Sequence, residues 1–247
     1  MTGQGRLAGM AAVITGATRG IGRALAEVGR RKGMKLALSA RSAGALEALA
    51  RELDPTGEEV IGVPGDVGDP ADCQELIRGA ERRFGHIDVL VNNAGLAIGG
   101  KIVDTRPQDV DLMVRTNFLG AYYCTRFALP GMTKRRSGHI VMMDSVAGIR
   151  ISPGGAIYSA TKFAMRSLAE ALRSEVLEYG IKVTAIYPGM TLTTYFDPDN
   201  PDALKPPIPI EEMLTSEDVA EATLATIGLP ARVSVNTVVL RPTTQQT

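Results

Sequence analysis

Charge of one sign, cysteine, histidine and long apolar runs are all scarce in this sequence, and each scarcity argues against a class of function. The 27 lysines and arginines balance the 27 aspartates and glutamates. With no long run of either sign, the chain carries no footprint for nucleic acid or for an anionic membrane surface. A small neutral partner is expected instead. Two cysteines, Cys73 and Cys124, make no disulfide framework. No charged-then-apolar leader and no run of twenty apolar residues occurs, so the expectation is a reduced, soluble, cytoplasmic protein. The two histidines, His86 and His139, lie far apart without cysteines or carboxylates at ligand spacing, which argues against a metal site. Both are read as ordinary strand-end residues.

Apolar residues, by contrast, make up 45 % of the 247 positions. That is enough to bury the core of one α/β domain spanning 1–247. Apolar segments at Ala11 to Thr15, Lys35 to Ala40, Val60 to Val63, Ile87 to Val91, His139 to Met143, Lys182 to Tyr187 and Val233 to Leu240 predict about seven strands. Helical periodicity between them predicts a doubly wound parallel sheet of the Rossmann type, with ligand at the carboxyl ends of its strands. Helices are expected after the first strand, over Ala45 to Leu53, after Asp69-Pro70, over Val110 to Leu129, after Gly155, and from the Thr215-Ser216-Glu217-Asp218 start to about Ile227. The proline-rich stretch within 191–214 is read as a substrate lid.

The first strand runs into Thr15-Gly16-Ala17-Thr18-Arg19-Gly20-Ile21-Gly22, a glycine-punctuated turn opening a helix. Bare amides at a helix N-terminus, together with the aligned peptide dipoles, suit a pyrophosphate. The glycine spacing differs from the common G-x-G-x-x-G fingerprint. At the tip of the second strand no acidic residue stands between Leu36 and Ser42, and Arg41 is there instead. An acidic side chain would hydrogen-bond the free ribose hydroxyls of NAD; two guanidinium groups, Arg19 and Arg41, with the Ser42 hydroxyl would clamp the 2'-phosphate of NADP. The alternative is a pair of solvated surface arginines. Asp66 either accepts from an adenine amino group or caps the next helix. Asn92-Asn93-Ala94-Gly95 offers a small, hydrogen-bonding strand tip. Asn117, in the middle of a helix, needs a reason: buried, its amide must bind a water or a backbone group; otherwise it is exposed.

Chemistry is placed between Ser145 and Lys162. On a helix beginning after Pro153-Gly154-Gly155, Tyr158 and Lys162 project from one face. At about 4 Å and an effective dielectric near 20, an ammonium favours a phenolate by roughly 4 kcal/mol, or ~3 units of pKa. That brings a tyrosine into the range of a physiological acid-base catalyst. On the same helix Ala160, Ala164, Ser167 and Ala171 form a row of small side chains that would admit a second helix, from this chain or another subunit.

Together, the Thr15 to Gly22 turn, Asp66, Asn92 to Gly95, Asn117, Ser145, Tyr158-x-x-x-Lys162 and Pro188-Gly189 resemble the short-chain dehydrogenase/reductase family over nearly the whole chain. The resemblance implies hydride transfer between NADP(H) and a carbonyl or alcohol. Tyr158 would be the general acid or base, Lys162 its pKa depressor and a ribose ligand, Ser145 the donor polarising the substrate oxygen, and Asn117 the holder of a relay water. It further implies Asp66 and Val67 on adenine, Asn93 near the adenosine ribose, Thr191 and Thr193 near the nicotinamide carboxamide, and Gly16, Thr18, Gly20, Ile21 and Gly95 lining the cofactor site. Thr191 departs from the usual valine or isoleucine, and Asp144 stands where a serine or small residue is common. The tail Val238 to Thr243 resembles members acting on aldehydes, ketones and hydroxy acids and lacks the glycine-rich ending of 3-oxoacyl carrier-protein reductases, leaving a 3-oxoacyl thioester as the alternative substrate. A homo-oligomer, tetramer or dimer, is the family habit. The rival reading is a regulatory protein that binds NADP without turnover.

Overall fold

The computed structural model describes residues 6–196 and 208–245. Seven parallel strands form one sheet, in the order β3-β2-β1-β4-β5-β6-β7. They are β1 (Ala11–Thr15), β2 (Lys35–Ser39), β3 (Val60–Gly62), β4 (Val89–Asn92), β5 (Gly138–Met143), β6 (Ile181–Pro188) and β7 (Thr237–Leu240). The inner strands are largely apolar because both faces of the sheet are covered, and alternate residues serve opposite layers. On one face Ile14, Leu36 and Leu38 pack with Leu25 and Val28 of α1 (Gly20–Arg31), Leu46 and Leu49 of α2 (Ala43–Leu53), and Val219, Leu224 and Ile227 of α7 (Ser216–Ile227). On the other, Val13, Leu90, Ile140 and Val183 meet Leu76 and Ile77 of α3 (Pro70–Phe84), Cys124 and Met132 of α5 (Gly120–Arg135), and Met165 and Leu172 of α6 (Ala156–Glu175).

The caps follow the sequence closely. Thr215 and Asp218 form a reciprocal capping box at the start of α7. Asp69 caps α3 and Pro70 takes its first turn, so Asp66 is released from the capping role. Ser42 caps α2 through its hydroxyl, which accepts from the Ala45 N–H, and α2 begins two residues earlier than the periodicity predicts.

Two expectations are corrected. The helix expected over Val110 to Leu129 starts at Pro107 as α4 (Pro107–Met113), widens to a π-helical segment over Val114–Leu119, and continues through Pro130 to Arg135. Pro107 is a good first-turn residue, and Pro130 costs one hydrogen bond without ending a helix whose next turn buries Met132. The seventh strand is shorter than Val233 to Leu240. Val235 and Asn236 lie just before it, the Val235 carbonyl accepting from Thr184 Oγ1 and that of Asn236 from Arg173. Other strand ends differ by one or two residues. Of the expected lid, 197–207 lies outside the described residues; Thr191 and Leu214 at its two ends form a parallel bridge.

The direction of strand addition reverses between β1 and β4. In an open parallel sheet the crevice at the carboxyl ends of such a pair is where ligands bind.

Candidate active site

The glycine turn sits at that crevice and is braced from β4. Thr15 Oγ1, at the end of β1, accepts from the backbone N–H groups of Asn93 and Ala94 at 3.0 Å each. Asn93 Nδ2 donates in return to the carbonyls of Thr15 (2.9 Å) and Gly16 (3.2 Å). The side-chain amide of Asn93 therefore ties the two strand tips together. Gly22 shows how closely the turn is wound: a Cβ there would lie 2.1 Å from the Gly16 carbonyl oxygen and 2.5 Å from Asn93 Nδ2. Thr18 and Ile21 are half-buried in the turn. A Cβ on Gly20 would touch Thr193 at 3.4 Å, so the segment after β6 lies against the glycine turn. Thr191 is buried, its hydroxyl donating to the Gly189 carbonyl.

Arg19 and Arg41 are both exposed, and among the described residues neither forms an ion pair. Asp66 accepts from the Gly68 N–H, and its neighbour Val67 is buried. A turn of backbone amides at the N-terminus of α1, with two guanidinium groups that form no ion pair among the described residues, has donors suited to the phosphates of a dinucleotide.

The candidate catalytic side chains come from three elements. Ser145, at the end of β5, caps a 3-10 turn over Val146–Gly148, its Oγ accepting from the Ala147 N–H at 3.1 Å. Tyr158 and Lys162 stand one turn apart on α6, with Lys162 Nζ 5.8 Å from the centre of the tyrosine ring. Lys162 is buried, and its ammonium donates to the Met143 carbonyl at 2.8 Å, two residues before Ser145. Asn117 is fully buried in the π-helical segment, where one extra residue per turn directs a side chain inward. Its Oδ1 accepts from the Leu96 N–H, while Nδ2 donates to the Leu96 carbonyl and to Thr161 Oγ1. Of the outcomes open to this asparagine, the backbone partner is the one found. Gly95 links the groups: a Cβ there would stand 3.4 Å from Asn117 Oδ1 and 3.8 Å from Lys162 Nζ.

Residues to which sequence reasoning gave no role of their own also belong here. Thr15, Leu96 and Thr161 hold the framework just described. Tyr195 joins it from the segment after β6: burial, and secondly the nearness of Tyr158, raise its phenol above the ordinary value. None carries a local signal, since each acts through a partner brought close only by the fold. His139 stands at the start of β5, as expected, and is buried there, its ring bonding Thr184 Oγ1 at 2.7 Å.

A family model described as short chain dehydrogenase matches residues 10–203. An uncharacterized oxidoreductase of Staphylococcus aureus (strain MW2) is 35% identical over 231 residues, 94% of this chain and 96% of that protein. Among solved structures, an alcohol dehydrogenase from the archaeon Thermococcus sibiricus complexed with 5-hydroxy-NADP superposes with a TM-score of 0.86 at 30% identity, covering 96% of this chain and 98% of the other. A short chain dehydrogenase/reductase from Burkholderia phymatum in complex with NAD gives 0.83 at 31% identity, covering 95% and 89%.

Proposed function

The chain belongs to the short-chain dehydrogenase/reductase family of oxidoreductases, and on that premise we propose that it interconverts a carbonyl compound and its alcohol with NADP(H). The observation that carries this reading is the place of the Lys162 ammonium, 5.8 Å from the centre of the Tyr158 ring, on the Met143 carbonyl two residues before Ser145, and across Gly95 from Asn117. Bound NADPH supplies the hydride. In the reducing direction the Tyr158 hydroxyl donates a proton to the substrate oxygen as negative charge develops there. The Ser145 hydroxyl donates a hydrogen bond to the same oxygen, and two preorganised donors at a developing oxyanion lower the barrier most. Lys162, held by the Met143 carbonyl, keeps a positive charge behind the phenol and so favours its giving up the proton. Asn117 has both amide hydrogens engaged by Leu96 and Thr161, and its Oδ1, which takes the Leu96 N–H on one lone pair and faces Lys162 across Gly95, has a second lone pair to accept from a relay water.

Arg19 and Arg41 support the choice of NADP over NAD, since two exposed guanidinium groups without acidic partners among the described residues suit a 2'-phosphate. Gly16, Thr18, Gly20 and Ile21 would cradle the diphosphate, Asp66 and Val67 the adenine, Gly95 the ribose side, and Thr191 and Thr193 the carboxamide. Ser42 keeps its O–H free to donate while its oxygen caps α2. The Asn93 amide, used up in bracing the turn, would reach the adenosine ribose only through its oxygen. A groove of about 470 Å³ between α5 and α6, lined in part by Tyr122, Leu129, Leu168 and Ala171, supports association with a second copy. The test is NADPH absorbance followed with a panel of aldehydes and ketones. Consumption with some members is expected; binding of NADPH without turnover of any would favour a regulatory protein.

A further inference from the structure

Asp144 is a carboxyl in a place that offers it little. It is 4 % exposed between the end of β5 and α6. One oxygen, Oδ1, accepts from the Ser145 N–H at 2.9 Å. The other, Oδ2, is buried without a hydrogen-bond partner among the described residues. Space for the group exists because residue 148 is glycine: a Cβ there would lie 2.6 Å from Asp144 Oδ1 and 3.2 Å from the Lys162 carbonyl. The charged and titratable groups that face it are Lys162 and Arg166 of α6 and Tyr187 of β6. Lys162 is the same ammonium that the Met143 carbonyl, one residue before Asp144, holds beside Tyr158.

We propose that Asp144 is a positioning residue whose proton sets the charge balance at Lys162. Neutral, it leaves the Lys162 ammonium as the unopposed charge behind Tyr158; ionised, it draws that ammonium toward itself and offsets its field. The inference rests on the oxidoreductase reading above.

Its chemistry follows from elementary electrostatics. A carboxylate with an unpartnered buried oxygen is costly, so the proton is retained until the gain from nearby cations outweighs desolvation. Burial pushes the Asp144 carboxyl up to about 7, against the opposing pull of Lys162, the Ser145 N–H and Arg166. The group therefore changes charge near neutral pH. Alcohol oxidation needs the Tyr158 proton already gone, and an anion beside Lys162 works against that loss. Removing the anion must favour it.

The experiment compares wild type with Asp144→Asn, and with Asp144→Ser in case the amide is not tolerated, from pH 5 to 10. The readouts are kcat/KM for alcohol oxidation, NADP affinity, and the infrared band of a protonated buried carboxyl. We expect the profiles to coincide at low pH, where the carboxyl is neutral in wild type as in the variants. They should part above about pH 7, where Asp144 is ionised, and there the variants should reach a given rate at about one pH unit lower, the effect of removing one charge several ångströms away. NADP affinity should hold, and the carboxyl band should fade through neutral pH in wild type only. Superimposable pH profiles, or a turning-over wild type without the band, would overturn the role of Asp144. A band that titrates as described in a protein that oxidises no alcohol and reduces no carbonyl would instead overturn the reading of the reaction.

Discussion

The carboxamide of Asn117 clamps the backbone of Leu96, accepting from its N–H and donating to its C=O at 2.8 Å each. A residue in the wide turn of one helix thereby fixes the chain leaving β4, next to Gly95 and Lys162. Asn117→Ala removes this clamp and leaves the Thr161 hydroxyl without its donor. Loss of about 3 kcal/mol of stability is expected from three bonds at ~1 kcal/mol each. Turnover should fall with it, as chemical denaturation and steady-state kinetics on one preparation would show. A variant as stable as wild type would mean that water replaces the amide without cost.

Tyr158→Phe isolates the proton donor. The ring and its packing stay, and only the hydroxyl is lost, so kcat should fall by at least ~10²-fold while NADPH affinity changes little, in line with the usual contribution of a general acid. Stopped-flow reduction assays with fluorescence titration of NADPH measure both. Retained turnover would assign proton transfer to another group.

Arg19 and Arg41 can be tested together. If both hold a 2'-phosphate, their replacement by alanine should weaken NADPH by about a hundredfold, the size of two charge-assisted bonds at ~1.5 kcal/mol each, and leave NADH nearly untouched. Equal losses for the two cofactors in calorimetry would place the guanidinium groups away from the phosphate.

Gly22→Ala introduces a methyl group where the Gly16 carbonyl oxygen lies 2.1 Å away. That oxygen is backbone and cannot swing aside. The turn must open, and both thermal stability and NADPH affinity should drop, read by melting curves with and without cofactor. An unchanged melting curve would show that the turn relaxes freely.

Two buried groups give the stability a pH dependence of opposite signs. His139 is depressed to about 3 by burial and by Lys182, below its unfolded value near 6.5. Its contribution is present above pH 6.5 and is lost as the pH falls toward 3. Asp144, raised to about 7, binds its proton more tightly when folded. Its contribution is full at low pH and is lost as the pH rises from about 4 to 7, by up to ~4 kcal/mol. Asp144→Asn should therefore raise the melting temperature more at pH 8 than at pH 5, and His139→Gln should blunt the acid side of the wild-type stability curve. A constant difference between Asp144→Asn and wild type across pH would mean that Asp144 does not change its protonation on unfolding.

How far the sequence reached depended on distance along the chain. The strands, the glycine turn, the Asp69-Pro70 start and the Thr215-Asp218 box are legible because apolar period, caps and turns act within about four residues. The spacing of Tyr158 and Lys162 is of that kind as well. The fold alone decided what lies further apart. That Asn93 braces Thr15 and Gly16, and that Asn117 meets Leu96 and Thr161, follows from the register of β1 on β4 and the packing of α6 against the π-helical segment. The widening of the helix at Asn117 has no periodic signature, and Asp144 reads as one more acidic residue until β5, β6 and α6 enclose it. Local dihedral preferences choose the elements, but burial and charge at a site are set by side chains tens of residues apart, and those meet only when the sheet has closed its layers.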